Sequence, residues 1–423
     1  MYERERPSSP IVSAPKPSRN LVPVALAAAV TVPGLTIRLA GLHPAPTFRA
    51  LLLGAAIVGA AFLLSWAAEA LQVDVSAGLA LGLLALIAVL PEYIVDGTFA
   101  WRAAEDPANA QYAVANMTGA NRILIGAAWP LVVLIGWSRF RRAAVQLDEG
   151  HSLELVVLLV ASLYAITIPF KGEISLVDFG VLFAIFGVYI WRLSRLPAEE
   201  PHLVGPAKAI AALSQGARRV VTIVMGIVAA AIVLLVAEPF AEALIETGTE
   251  LGVDEFLLVQ WLAPLASEAP EFVVVAIFAW RGATTAAMGT LVSSKINQWT
   301  LLVGMLPLIY SVALGEATGL PLDERQEGEL ELTAAQTLAA VALMLDRRLS
   351  WRGAGTLAVL FVAQFFLRGH VVGFTYAYFA VAAVALVVQR THIVDTFRDF
   401  VAGWRGEAGA SPAAADHPSV GPI

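Results

Sequence analysis

The sequence predicts an all-α polytopic membrane protein of about twelve spans. Two inverted five-helix repeats form its body, with one extra transmembrane helix at each end. Three observations predict it. Hydrophobic residues make up 58% of the chain and charged residues 14%, against about 25% charged in soluble domains, and the mean hydropathy is +0.74. Apolar runs of about 18 or more residues recur, the length a helix needs to cross a bilayer core of about 30 Å. The stretch PEYIVDGTFAWR at 91–102 returns as PEFVVVAIFAWR at 270–281, with seven of twelve positions identical.

Lipid offers no partner to backbone N–H and C=O groups, so each apolar run is read as a helix. The opening MYERERPSSPIVSAPKPSRN (1–20) mixes charge with Pro and Ser. It reads as a disordered tail, since a cleavable signal needs an apolar stretch directly after its basic start. An extra span follows at 21–41, interrupted by Pro33 and Gly34. The first repeat covers 50–192, with spans near 50–72, 76–101, 112–137, 152–169 and 174–192. A polar linker (193–218) contains AKAIAALSQGARR (207–219), which reads as an amphipathic interfacial helix. The second repeat covers 219–367, with spans near 219–238, 254–281, 286–314, 332–346 and 353–367. The last extra span is 371–389, and an Ala/Pro/Ser-rich tail closes the chain at 406–423.

Lys and Arg collect at RFRR (139–142), in the linker (Arg192, Arg195, Lys208, Arg218, Arg219), at RRLSWR (347–352) and at Arg390, Arg398 and Arg405. These segments are expected in the cytoplasm, and the Glu-rich loops 239–253 and 315–331 outside. Twelve spans with both termini cytoplasmic satisfy every assignment. The helix bearing Glu92 is then third and the one bearing Glu271 eighth. Five helices separate them, an odd number, so the second copy lies upside down. Transporters of this plan hold their substrate near the midplane, where the copies meet.

Each copy continues into a second helix with small and polar residues deep inside, ANMTGANRILIGAAWPLVVLI (115–135) and GTLVSSKINQWTLLVGMLPLI (289–309). Small residues let helices approach closely, and Asn, Ser, Thr and Gln can ligate or hydrogen-bond across the interface. SLVDFGVLFAIFGVYIW (175–191) and SWRGAGTLAVLFVAQFF (350–366) echo each other as closing helices. The chain has no cysteine, which excludes disulfides, thiol catalysis and thiolate metal sites. Six histidines lack metal-binding spacing. No span carries paired aspartates, a Ser–His pair or an HExxH motif, so an intramembrane enzyme is not expected. No Gly-rich nucleotide loop occurs, so energy is expected from an ion gradient.

These paired motifs resemble the sodium/calcium exchanger superfamily of cation antiporters, over roughly 50–390. Its pattern is a Gly-Thr-Ser-x-Pro-Glu helix followed by a Gly-Asn-x-x-Gly-Ser-Asn-x-x-Asn/Asp helix, once in each inverted half. ALIAVLPE and APLASEAPE occupy the first motif here, ANMTGANRIL and GTLVSSKINQ the second. The resemblance implies that Glu92 and Glu271 face each other at the midplane and coordinate the cation, calcium with sodium competing in that family. The chemistry agrees, because hard cations want several oxygen ligands and two carboxylates neutralise a divalent ion. A proline before each glutamate removes a backbone donor and frees carbonyls. Further cation-binding candidates are Glu268, Ser267, Asn116, Asn121, Ser294, Asn297 and Gln298.

The departures are specific. Ala88-Val89 stands where the family has Thr-Ser, and Ser267-Glu268 adds a third carboxylate in the second copy. Gly119-Ala120 and Ser293-Ser294 replace Gly-Ser, and Leu124 and Gln298 replace the final Asn/Asp. Arg122 and Lys295 stand near mid-membrane, where an unpaired charge costs several kcal/mol. Glu92, Glu271 or Glu268 are their expected partners. A resident cation there competes with calcium and favours a monovalent or proton cycle. Asp96 is one turn beyond Glu92 on the same face, with Val275 as its counterpart. Glu69 and Glu238 read as interfacial. Trp101-Arg102 and Trp280-Arg281 read as headgroup anchors.

The expectation is a secondary active cation antiporter, not an enzyme, with alternating access around the glutamate pair. Its alternative is a transport-inactive membrane scaffold derived from an exchanger. No cofactor is expected beyond the transported cations (Na, Ca or H). The expected partners are membrane lipid and inorganic cations, with no nucleic acid. The expected location is the plasma (inner) membrane.

Overall fold

A computed structural model describes residues 21–74, 89–148, 151–195, 203–367, 369–390 and 401. The described part is almost entirely helical. The chain enters through α1 (Val22–Ala40) and α2 (Pro46–Leu71), followed by α3 (Leu90–Glu105). The fourth pass is α4 (Ala110–Ile123), a π-helical turn (Leu124–Ala128) and α5 (Trp129–Phe140). Next come α6 (Ser152–Ala165) and α7 (Leu176–Leu193), then a short α8 (Gly205–Ala211). The second half holds α9 (Gln215–Leu251) and α10 (Glu255–Trp280). It continues with α11 (Thr284–Asn297), a second π turn (Gln298–Leu302) and α12 (Val303–Leu314). The last helices are α13 (Glu324–Leu343), α14 (Trp351–Phe366) and α15 (Val371–Val388).

Among the described residues, nine helices are long and apolar enough to cross a membrane, against the twelve expected. The difference has local reasons. Only the second half of the 76–101 span is described, from Val89 on; the first half of ALIAVLPE, Ala88 included, lies outside the described residues, as do both tails and 196–202 of the linker. α14 is a shorter apolar helix, and α13 is too polar to read as a span. The expected 219–238 span is a 37-residue helix, because Pro239 is accommodated inside α9 rather than ending it. The interfacial helix expected over 207–219 divides in two. α8 stops at Ala211, and residues from Gln215 on belong to α9.

The two copies agree to the residue in their fourth pass. Each boundary from Ala110 to Phe140 recurs 174 positions later, from Thr284 to Leu314, with the π turn at 124–128 matched by that at 298–302. A π turn carries one extra residue, and such turns mark functional places in helices. The closing helices agree too: Ser175 and Ser350 each cap the helix that follows them.

Four short strands tie the ends together. β1 (Ala144–Gln146) pairs antiparallel with β4 (Arg348–Ser350), and β2 (Glu173–Ile174) with β3 (Leu320–Pro321). β1 and β2 flank α6, while β3 and β4 flank α13. The main core runs through α2–α7 and α9–α15, and a second apolar cluster joins α1, α2, α8 and α9. Val220, Ile223, Val224, Ile227 and Leu234 on α9 stay exposed.

Ion pairs fasten α2 to α9 at both ends. Arg49 meets Glu246 at 2.5 Å, and Arg218 grips both carboxylate oxygens of Asp74 at 2.7 Å. The Arg218 hydrogen bonds hold Asp74, outside the helices, below the ordinary carboxylate range. Trp101 and Trp280 are exposed at their helix ends, with Arg139 stacked 4.3 Å over Trp280.

Small residues set the closest approaches. A methyl group added at Gly119 of α4 would stand 1.7 Å from the Gln260 carbonyl oxygen of α10. Gly119→Ala therefore must force α4 and α10 apart, at about 1–3 kcal/mol. The expected result is a clear fall in the thermal midpoint in detergent. Gly180→Ala is the control, since nothing lies within 4 Å of its added methyl.

Candidate ion-binding site

Pro91 opens α3, so Glu92 stands in its first turn, buried at 1% exposure. Pro264 and Pro270 lie inside α10 and cannot donate to the preceding turn, which loosens the helix where it carries Ser267, Glu268 and Glu271. Glu92, Glu268 and Glu271 are electrostatic neighbours. Among the described residues, however, no three acidic or histidine side chains converge tightly enough to enclose a metal.

Hydroxyls serve the two Pro-Glu glutamates. Ser294 of α11 lies 3.0 and 2.9 Å from the two Glu271 oxygens and donates to that carboxylate. Ser267 faces Glu92 as a hydrogen-bond partner and reaches the Ala263 and Pro264 carbonyls at 3.3 Å. Both hydroxyls come from the second copy. The first has Ala88 and Ala120 at the matching positions. One Glu92 oxygen and one Glu268 oxygen are buried without a protein hydrogen-bond partner.

Each candidate amide has a protein partner. Asn116 donates to Asp96 at 2.6 Å, Gln298 to Glu268 at 2.8 Å and Asn121 to the Met117 carbonyl at 2.8 Å. Asn297 accepts from the Tyr93 hydroxyl. Asp96 is fully buried beside this cluster.

The intramembrane cations do not pair as the sequence suggested. Arg122 meets Glu329 of α13 at 2.6 Å, both buried, instead of Glu92, Glu268 or Glu271. Gln260 donates to the same Glu329 at 3.1 Å, and the Arg122 guanidinium lies 5.0 Å from the Trp261 ring. Lys295 donates to the Asn121 side-chain oxygen at 2.5 Å and lies 4.4 Å from the Trp299 ring centre. Among the described residues it makes no ion pair within 4 Å; Glu268 acts on it only from farther off. The reason is geometric. An Arg or Lys side chain leans toward the start of its helix, and that lean carries Arg122 to α13 and Lys295 to α4.

Sequence reasoning missed Glu329, Tyr93 and Gln260. Glu329 falls within the Glu-rich loop expected at 315–331, but stands on a helix (Glu324–Leu343), and the sequence carries a signal for it. Gln326, Glu329, Thr333 and Gln336 recur at helical spacing, and all four are buried.

The family model described as sodium/calcium exchanger protein matches residues 46–195 and 221–369. No curated protein matches the chain at the level of sequence. Among solved structures, one described as the H+/Ca2+ exchanger CAX is 40% identical, covering 93% of this chain and all of its own, with a TM-score of 0.88. Native YfkE is 16% identical over 84% of this chain and 99% of its own, with a TM-score of 0.60. The sodium-calcium exchanger NCX_Mj is 16% identical over 81% of this chain and 99% of its own, at 0.50. These last two likenesses speak for the fold alone.

Removing one partner of a buried ion pair costs about 3–5 kcal/mol, because the other charge is stranded. Arg122→Gln or Glu329→Gln is expected to lower thermal stability by that order, and the double variant to recover most of it. Additive losses in the cycle would mean that the two residues do not stabilise each other.

Proposed function

The chain belongs to the sodium/calcium exchanger family, a family of membrane cation antiporters, and from that premise we propose that it exchanges a divalent cation of the calcium type for protons. The bundle opens in turn to the two sides of the membrane around Glu92 and Glu271, which hold the cation between them, and the ion gradient supplies the energy. The carrying observation is that the buried Glu92 and the half-buried Glu271 act on each other electrostatically, each beside a serine hydroxyl, while the intramembrane cations are engaged elsewhere. The expected competition from Arg122 and Lys295 for these carboxylates therefore loses its ground. Two carboxylates match a divalent charge, and a loose oxygen set suits cargo that must also leave. The 40% identical relative bears the name of an H+/Ca2+ exchanger, which favours protons as the counter-ion. Ser267 and Ser294 supply the hydroxyls that the first copy lacks. Glu268, hydrogen-bonded to Gln298, acts as a charge beside the site.

An inverted relation of the two halves is supported by the strand pairing. β1 precedes α6 and β4 follows α13, yet the two pair. β2 follows α6 and β3 precedes α13, and these pair as well. Each end of the bundle thus joins one copy's entry to the other's exit. The same pairing puts RFRR and RRLSWR at one end, which supports a cytoplasmic face there and both termini on that side.

Reconstituted vesicles test the reading. Calcium uptake driven by an imposed pH gradient is expected from the unaltered protein. Glu92→Gln and Glu271→Gln are each expected to bring it to background. Flat traces for calcium, sodium, potassium and protons with the unaltered protein would overturn the antiporter and leave the scaffold.

A further inference from the structure

A second buried polar cluster lies between α6, α7 and α11, at the end of the bundle that carries β1 and β4. His151, at the start of α6, keeps 18% of its side chain exposed and places Nε2 3.9 Å from Glu154 Oε2. Gly289 of α11 makes room for the ring, since a methyl there would stand 2.4 Å from Nε2. Glu154 Oε1 lies 3.3 Å from the hydroxyl of Tyr189, itself 1% exposed. That hydroxyl lies 2.7 Å from Ser293 Oγ, and either oxygen can donate. Ser293 is the neighbour of Ser294, which donates to Glu271. Polar side chains thus lead, with gaps at His151–Glu154 and between the two serines, from a partly exposed imidazole to a glutamate of the ion site.

We infer that His151, Glu154, Tyr189 and Ser293 form a proton path between the β1/β4 end of the bundle and Glu271. The inference rests on the cation/proton reading above. A proton taken up by His151 passes to the Glu154 carboxylate. Glu154 gives it to the Tyr189 oxygen as Tyr189 gives its own hydroxyl proton to Ser293. Ser293 releases one in turn toward Ser294, which protonates Glu271. One proton enters, one arrives, and every hydroxyl keeps one. Among the described residues no hydrogen bond joins the two serines directly, and a single bridging water suits that step. A path needs donors that reverse, and the Tyr189–Ser293 pair does.

The same place in the other copy is built differently. Glu154 and Glu329 stand 175 positions apart, as do Tyr189 and Gln364. There Glu329 is held by Arg122, and Gln364 replaces the phenol. Gly119 stands where Ser293 stands in the path. The missing hydroxyl at Gly119 interrupts any equivalent chain on that side. Around the open path, α6 contributes His151 and Glu154, α11 the two serines, and α7 adds Arg192, buried one turn beyond Tyr189. The preceding loop brings Asp148, whose carbonyl accepts from the His151 backbone N–H.

Two fluxes in the same vesicles test the path. One is calcium uptake driven by a pH gradient. The other is exchange of labelled for unlabelled calcium at equal pH, which moves no net protons. Tyr189→Phe keeps the ring and loses the hydroxyl, and Ser293→Ala removes the next oxygen. For both, gradient-driven uptake is expected to fall about tenfold or more while calcium self-exchange stays within about twofold. Undiminished uptake, or both fluxes falling together, would overturn the path, the latter showing a structural cluster. An unaltered protein that exchanges calcium without responding to the pH gradient would instead remove the proton reading itself.

Discussion

Charge in a lipid-enclosed interior must find a partner, and the described bundle is arranged around that demand. Water is absent as a solvent for stray carboxylates or ammonium groups, so each buried ionisable side chain takes a protein partner or a passenger. Arg122 and Glu329 satisfy each other, and Lys295 rests on Asn121 and the Trp299 ring. Glu268 takes the Gln298 amide and Asp96 the Asn116 amide. Glu92 and Glu271 receive hydroxyls, which soften a negative charge without neutralising it.

Divergence between the copies obeys the same rule, because polar residues change in pairs. Glu268 and Gln298 bond in the second copy; their counterparts in the first are Val89 and Leu124. Asp96 and Asn116 bond in the first; the second has Val275 and Thr290. A lone carboxylate at any of these positions would be stranded. Substituting both members of a contact together keeps the interior satisfied.

Much of this architecture was legible from the chain. Apolar length marked most spans, the Pro-Glu repeat marked the helices of the two glutamates, and the second motif aligned with its copy in the register that the π turns later displayed. Partner choice was not legible, since it depends on where a long side chain leans and which helix passes there. Arg122 stands thirty residues from Glu92 in sequence, yet its lean carries it to α13. Glu329 itself sat in a run of glutamates that resembles a solvated loop, and only its spacing with Gln326, Thr333 and Gln336 marked a buried face. The His151, Glu154, Tyr189 and Ser293 cluster carried no motif at all, being assembled from three segments.

The contact between Asn121 and Lys295 bears on the site's symmetry. These residues hold equivalent positions in the two copies, 174 apart. Under the proposed two-fold relation, equivalent residues touch only beside the axis. Two lysines there would repel, and the chain has one donor and one acceptor instead. Glu92 and Glu271 are also equivalent and also neighbours, yet both have stayed carboxylates. Neighbouring like charges away from bulk water are unfavourable unless a cation or a proton joins them. At the first pair the repulsion has been designed away, and at the second it is kept. A pair of acids left facing each other beside the axis, while Arg122 and Lys295 are engaged elsewhere, is what a transported cation requires.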